Sequence, residues 1–180
     1  LCSPNNPTGT LFSETQVEKL LNNFKGLVVI DEAYIDFSER ESWSKKLTQY
    51  PNLVVTQTLS KAYGMAGIRL GICFASKEII AVLNKIKPPY NINSLTQEKT
   101  INRLKNLLDI KKEISSLIKG KNELYKALLE VEFINKIFPS EANFILCRVD
   151  DATKRYNQLV EKGIVVRNRS NQPLCENTLR

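Results

Sequence analysis

Histidine is absent from the 180 residues, and the four cysteines are scattered without a CxxC pair. Without histidine, no serine or cysteine can be activated by an imidazole base within this chain. A zinc site built from the usual ligands is not expected either, so we predict no metal centre. Acid and base chemistry must therefore come from lysine, tyrosine, aspartate or glutamate.

Long apolar runs are also missing. No segment approaches the roughly eighteen apolar residues that a membrane-spanning helix needs, and no basic stretch followed by an apolar leader is present. We therefore expect a soluble, cytoplasmic protein without a membrane partner. The chain opens at Leu1 in a turn-rich motif and ends at Arg180, just after a strand-like Thr178-Leu179, so we expect a piece of a longer polypeptide.

The net charge of +7 raises the possibility of a nucleic-acid partner, because clustered basic residues bind phosphate backbones. The lysines are instead interleaved with glutamate, as in Lys111-Lys112-Glu113 and Lys121-Asn122-Glu123. This pattern is typical of a solvated helical face. We therefore expect no nucleic-acid partner.

The first part of the chain alternates between helical and strand patterns. A capping box at Ser13 and Gln16 predicts a helix over about 14–24. The continuous apolar run 27–30 predicts a strand buried on both faces of a sheet. Further predicted elements are strands at 53–55 and 70–74 and a helix over 79–86. This order predicts a parallel or mixed sheet layered with helices, an α/β fold.

From Leu107 onward, apolar residues recur at spacings of three and four as far as Val131. The spacing predicts one long amphipathic helix, or two joined near Gly120, with a stripe facing a core. A strand at 143–149, a helix at 152–162 and a strand at 164–166 that delivers Arg167 are predicted to follow. We therefore predict two domains, residues 1–106 and a smaller α+β domain of residues 107–180.

The segment between the second and third predicted strands carries the most informative chemistry. Lys61 lies in a polar, glycine-broken loop, with the hydroxyls of Thr58 and Ser60 before it and Arg69 after it. These groups provide donors for a phosphate next to an amine. A pyridoxal-phosphate site needs this combination, because the lysine binds the cofactor covalently while the loop anchors its phosphate.

Two other motifs place polar groups near strand ends. Asp31 and Tyr34 follow the first predicted strand, at the carboxyl end where open α/β sheets bind ligands. Asn6 lies in a turn rich in proline and asparagine. Alternatives exist for each residue alone: Asp31 would also suit the magnesium-binding strand of an ATPase, although no GxxxxGK loop occurs here. Taken alone, Lys61 would also suit a surface charge, Arg69 a salt-bridge partner and Asn6 a turn former.

Together, the motifs NNPTG (5–9), VVIDEAYIDF (28–37) and TLSKAYGMAGIRLG (58–71) resemble fold-type-I pyridoxal-phosphate aminotransferases. The resemblance extends over essentially the whole chain. It implies a three-layer α/β large domain with a mostly parallel sheet, plus a smaller C-terminal α+β domain. It also implies pyridoxal 5'-phosphate as the cofactor and a homodimer, whose partner subunit usually completes the site.

The resemblance also implies individual roles. Lys61 would be the Schiff-base lysine that transfers protons, and Asp31 would keep the pyridine nitrogen protonated. Tyr34 and Asn6 would hydrogen-bond the ring oxygen. The phosphate would be held by Thr58, Ser60 and Arg69.

Within the family, the chain most resembles the members that exchange the amino group between L-histidinol phosphate and 2-oxoglutarate, in histidine biosynthesis. Arg180 would then bind the α-carboxylate, and Arg167 the distal phosphate or the side-chain carboxylate of glutamate. Arg169 is a further cation nearby. Three alternatives remain open: an aromatic aminotransferase, a decarboxylase of a phosphorylated amino acid, and a non-enzymatic regulator that keeps the fold.

Overall fold

A computed structural model describes all 180 residues, which form five α-helices and six strands in two sheets. The first sheet has the order β1 (Val28–Asp31), β2 (Leu53–Thr58) and β3 (Gly71–Ala75). β1 and β2 are parallel, whereas β2 and β3 are antiparallel. The predicted strands are confirmed, and the sheet within this chain is mixed rather than mostly parallel.

Two helices flank this sheet at the predicted positions. α1 spans Glu14–Asn23, and Ser13 Oγ caps it by accepting a hydrogen bond from the Gln16 amide at 3.2 Å. α2 spans Lys77–Ile86 and is capped in the same way by Ser76. Each helix start is set by a local side-chain cap. The sequence predicts the start of α1 from the cap at Ser13, whereas α2 begins two residues before the predicted position 79.

The main hydrophobic cluster lies on one face of the first sheet. It contains inward-facing residues of α1, β1 and β2 together with Trp43. The prediction that β1 is buried on both faces is wrong for this chain, because Val29 is 44% exposed while its neighbours Val28 and Ile30 are buried. On the same face, Val54 of β2 is buried beside Val29, so this face of the sheet is open at β1 and covered at β2.

The helical region after the first sheet differs from the prediction in two ways. α3 (Ser94–Leu104) was not predicted, because it has few apolar residues and only two buried threonines. α4 (Leu107–Leu128) is a single helix that runs through Gly120, which confirms the first of the two predicted forms. Its apolar stripe is only partly covered: Ile110 is buried, but Leu117 is 49% exposed.

The second sheet is antiparallel, in the order β4 (Ile134–Phe138), β5 (Leu146–Val149) and β6 (Thr178–Leu179). α5 (Ala152–Glu161) packs on it, as predicted. β4 was not predicted. The strand predicted at 164–166 does not form: pairing starts only where Arg167 and Asn168 meet the short β6.

The two sheets have separate hydrophobic clusters, and a third cluster links them. In this third cluster Tyr34, Phe37 and Ala62 pack with Ala142, and Ile114 of α4 packs against them. The division into domains at 106 and 107 stays a prediction. None of the helices has the length and apolar character required to span a bilayer.

The cysteines do not all behave as core residues. Cys147 on β5 is buried, and burial raises the pKa of its thiol to about 11. Cys73 lies on β3 and is exposed.

Candidate active site

Three segments meet at the carboxyl end of β1. Asp31 pairs with Thr56 of the parallel strand β2, so the segment after β2 leaves the sheet at the same edge. On the other side of β1, Cys2 forms a parallel bridge with Asp31, which brings the turn that follows Cys2 to this edge as well. The Asp31 carboxylate accepts a hydrogen bond from the Ala33 amide at 3.0 Å.

Tyr34 is the buried centre of the site. Its hydroxyl oxygen accepts a hydrogen bond from Asn6 Nδ2 at 3.4 Å. Lys61 Nζ lies 5.6 Å from the centre of the Tyr34 ring, within the range of a cation–π contact. Phe144 packs edge-to-face on the same ring, with centroids 5.2 Å apart. The structure thus brings together Asn6, Tyr34 and Lys61, which lie far apart in the sequence.

Arg180 joins this group from the C-terminal strand. Its Nη1 donates to Asn6 Oδ1 at 2.6 Å, and its guanidinium lies 4.8 Å from the Phe144 ring centre. Burial lowers the pKa of Arg180, and the positive charge of Arg169 lowers it further. Arg167 pairs with Arg180 through two backbone hydrogen bonds, and its side chain is exposed.

The three predicted phosphate-binding residues lie on the connection between β2 and β3. Thr58 Oγ1 accepts from the Ser60 amide at 3.1 Å and donates to the Leu70 carbonyl at 3.5 Å. Arg69 donates to the Ala66 carbonyl at 2.8 Å. Thr58, Ser60 and Arg69 lie on the same connection as Lys61, but none of the three forms a hydrogen bond with Asp31 or Lys61.

The backbone of Arg69 is unusual. It adopts φ 55° and ψ 47°, at the end of a short 3₁₀ helix over Ala66–Ile68. A non-glycine residue in this left-handed region costs roughly 1–2 kcal/mol. The local backbone therefore fixes the direction in which this arginine leaves the loop, a feature that the sequence pattern did not indicate.

Sequence reasoning missed two residues beside the site. Phe144 bridges Tyr34 and Arg180, and no local pattern distinguished it from other strand residues. Glu32 is only 1% exposed, and its carboxylate accepts hydrogen bonds from Ser42 Oγ, the Trp43 amide and Gln57 Nε2. Successive strand side chains point to opposite faces, so the carboxylate that follows Asp31 enters the interior.

A second loop holds the turn that carries Asn6. The Glu141 amide donates to the Gly9 carbonyl at 2.8 Å, and Lys121 Nζ donates to the Ser140 carbonyl at 2.7 Å. Gly9 has φ 74°, and a β-carbon added there would lie 2.2 Å from Ser140 Oγ. Gly9 therefore allows both the turn conformation and the close approach of this loop.

Replacing Gly9 by alanine should destabilise the full-length protein by about 1–3 kcal/mol, because the new methyl group meets Ser140 and the backbone is left-handed. A matched control is Gly120→Ala inside α4, where an added β-carbon meets nothing within 4 Å. That variant should be stabilised by roughly 0.5–1 kcal/mol. Denaturant unfolding measures both; equal effects at the two positions would contradict this account of Gly9.

Comparison with known proteins places the chain in a family. The sequence profile "Aminotransferase class I and II" matches residues 1–180, so the chain belongs to that family. The chain is 70% identical over its whole length to histidinol-phosphate aminotransferase from Flavobacterium johnsoniae and 54% identical to the one from Parabacteroides distasonis. It covers 52% of each relative, so it spans about half of their length.

Solved structures agree with this assignment. The crystal structure of histidinol-phosphate aminotransferase from Clostridium acetobutylicum matches with a TM-score of 0.92 and 29% identity, covering 99% of this chain and 56% of that one. L-threonine-O-3-phosphate decarboxylase from Porphyromonas gingivalis matches with a TM-score of 0.85 and 26% identity, covering 99% and 57%. The predicted family and the fold-type-I architecture of the pyridoxal-phosphate part are confirmed.

Proposed function

We propose that the protein containing this chain is a pyridoxal-phosphate-dependent transaminase. It exchanges the amino group between L-histidinol phosphate and 2-oxoglutarate, giving imidazole-acetol phosphate and L-glutamate. The observation that carries this proposal is the placement of the Lys61 amine beside Tyr34, with Asn6 and Arg180 joined to the same group of side chains.

The residues present fit the cofactor. A carboxylate, a phenol, an amine, two hydroxyls and a guanidinium occupy one edge of the first sheet and the connection beyond it. When bound, pyridoxal phosphate supplies a ring that withdraws the electron pair left on the substrate Cα after deprotonation. No ion pair within the chain involves Lys61 or Asp31, so both side chains are available to it.

Asp31 and Tyr34 tune the site through charge and hydrogen bonding. The Asp31 carboxylate holds a proton on the pyridine nitrogen, because an anion stabilises the cation beside it. Asn6 Nδ2 donates to the Tyr34 hydroxyl oxygen, which leaves the hydroxyl proton free to donate to the ring oxygen. The protonated nitrogen and the hydrogen-bonded oxygen together favour withdrawal of electrons from the substrate Cα into the cofactor ring.

Lys61 acts as the base of the reaction. With the cofactor bound, Lys61 Nζ would be the group that takes the proton from the substrate Cα and holds it for return. The Tyr34 ring, whose centre lies 5.6 Å from Lys61 Nζ, limits the movement of the lysine side chain on one side.

Thr58, Ser60 and Arg69 hold the phosphate of the cofactor. Arg69 uses one of its five N–H donors on the Ala66 carbonyl, so the others remain for a phosphate. The left-handed backbone conformation of Arg69 fixes the direction in which its side chain leaves the main chain.

The C-terminal arginines select the substrate. L-Histidinol phosphate carries a phosphate ester, whereas glutamate carries two carboxylates, so one cationic site must accept both kinds of anion. With glutamate, Arg180 binds the α-carboxylate and Arg167 the side-chain carboxylate, whereas with L-histidinol phosphate, which has no carboxylate, Arg167 binds the phosphate. The division into residues 1–106 and 107–180 and a homodimer belong to the same proposal, supported by the family resemblance.

The full-length protein tests this proposal. With L-histidinol phosphate and 2-oxoglutarate we expect L-glutamate to form in step with the loss of the amino donor. The decarboxylase from Porphyromonas gingivalis makes phospho-amino-acid decarboxylation the second candidate. Release of CO₂ from a phosphorylated amino acid, with no glutamate formed, would favour that candidate and contradict the transaminase.

Replacing Arg167 by alanine should reduce kcat/KM for L-histidinol phosphate by about 10- to 100-fold, because a charged hydrogen bond contributes about 1.5–3 kcal/mol. The loss with an amino donor that lacks the phosphate, such as an aromatic amino acid, should be smaller. Arg40→Ala is the control, since Arg40 pairs with Glu14 instead. Equal losses with both donors would remove the role assigned to Arg167.

A further inference from the structure

Arg167, Arg169 and Arg180 lie on one face of the ladder at the C-terminal strand. Arg148, opposite Thr178, is on that face too, but its guanidinium lies over the Phe138 ring and donates to the Leu174 carbonyl. Arg167 and Arg180 exchange two backbone hydrogen bonds, Asn168 bridges Leu179, and the Arg169 amide donates to the Thr178 carbonyl. In this antiparallel register, opposite residues share a face and residues two apart share a face. Arg169 is therefore on the same face as Arg167 and Arg180.

The opposite face of the ladder belongs to the hydrophobic core. Leu179 is buried there with Val149 and Ala152, and Val166 packs against them. The arginine face is the one from which Arg180 reaches Asn6 and Phe144. Arg169 thus points to the side of the ladder that carries the candidate active site.

No carboxylate of the chain forms an ion pair with any of these three arginines. The Nε of Arg169 and the Oγ of Ser170 are buried without a hydrogen-bond partner, although buried polar atoms are normally paired. Both atoms can donate. The charge of Arg169 also lowers the pKa of Arg180, more than that of Arg167 does, in agreement with a close approach.

We propose that Arg169 is a specificity-determining residue: it completes a three-arginine anion site with Arg167 and Arg180 that favours a phosphate ester over a carboxylate. Three like charges without a counter-ion repel one another, and a bound anion removes that repulsion. A phosphate monoester concentrates a charge of about −1.5 to −2 at pH 7 and three acceptor oxygens on one group, whereas glutamate divides its negative charge between two separate carboxylates with two oxygens each. The phosphate group therefore gains more from the third cation than either carboxylate does. This inference rests on the proposed function.

The test uses the full-length holoenzyme and the variants Arg169→Gln and Arg169→Lys. For Arg169→Gln, kcat/KM with L-histidinol phosphate should fall about 10- to 100-fold, while the value with L-glutamate should fall no more than about threefold. Arg169→Lys should recover most of the loss, because the charge is restored. Arg40→Gln, which alters a surface pair with Glu14, should match the wild type.

A loss of similar size with both substrates, or no loss with either, would overturn the role of Arg169. An equal loss in Arg169→Gln and Arg169→Lys would also contradict it, since the fold rather than the charge would then explain the effect.

Binding of inorganic phosphate separates this inference from the proposed function. Titration of the holoenzyme should show weaker phosphate binding in Arg169→Gln by about tenfold or more. If the wild type fails to transaminate L-histidinol phosphate, the proposed function fails, and the phosphate titration still decides on Arg169. If the wild type is active and both variants bind phosphate as it does, only the role of Arg169 fails.

Discussion

Replacing Lys61 by alanine should lower the transaminase rate of the full-length holoenzyme by about 10³- to 10⁴-fold. In the proposed function the amine holds the cofactor covalently and moves the proton at the substrate Cα, and no histidine in the chain can take over either task. Lys61 is exposed in this chain and makes no ion pair, so its loss should leave folding almost unchanged. The measurement is kcat at saturating cofactor.

A matched control is Lys112→Ala, which removes a lysine that is 80% exposed and pairs only with Asp109. It should keep the wild-type rate. Adding a small primary amine to Lys61→Ala should restore part of the activity, because a free amine can replace the missing lysine amine as the base. A Lys61→Ala enzyme within tenfold of the wild type would remove Lys61 from the chemistry.

Replacing Asp31 by asparagine should lower kcat by about 10²- to 10³-fold. The substitution keeps the shape and the oxygen that accepts from the Ala33 amide, so the end of β1 should remain intact. What it removes is the negative charge that holds a proton on the pyridine nitrogen. The thermal midpoint of unfolding should therefore change little while the rate falls.

The control for this variant is Asp109→Asn, whose carboxylate is exposed and lies near Lys112. Its kcat should equal that of the wild type. If Asp31→Asn retained the wild-type kcat, the ring nitrogen would not depend on this carboxylate. If it unfolded instead, the role of Asp31 would be structural.

Local signals predicted several elements of the first sheet and its flanking helices, including the strand that ends at Asp31. The cap at Ser13 and the apolar run of β1 each depend on residues adjacent in sequence, and both appear where expected. The end of β1 then places Asp31 correctly, because a strand fixes which residue leaves its carboxyl end. Such features need no knowledge of distant contacts.

Long-range contacts were not predictable in the same way. Arg180 reaches Asn6 across a separation of 174 residues, and Phe144 meets Tyr34 only because β5 and the end of β1 come together. The strand predicted at 164–166 is absent because β6 and Arg180 pair with residues 167–169, and in that register no residue of the chain lies opposite 164–166. A sequence pattern shows that a segment can form a strand but not how much of a neighbouring strand is there to pair with it.

The exposed faces of β1 and α4 have a similar explanation. Apolar periodicity predicts that Val29 and Leu117 are buried, yet both are exposed in this chain. The relatives are about twice as long as this chain, and periodicity does not say which part of a protein covers a given face.

The most direct measurement is to identify the lysine that carries the cofactor. The full-length holoprotein is reduced with borohydride, digested, and analysed by peptide mass spectrometry. We predict that the mass of the reduced cofactor is found on the peptide containing Lys61, and that Lys61→Ala yields no modified peptide. Modification of a different lysine, with Lys61 unmodified, would contradict the site described here.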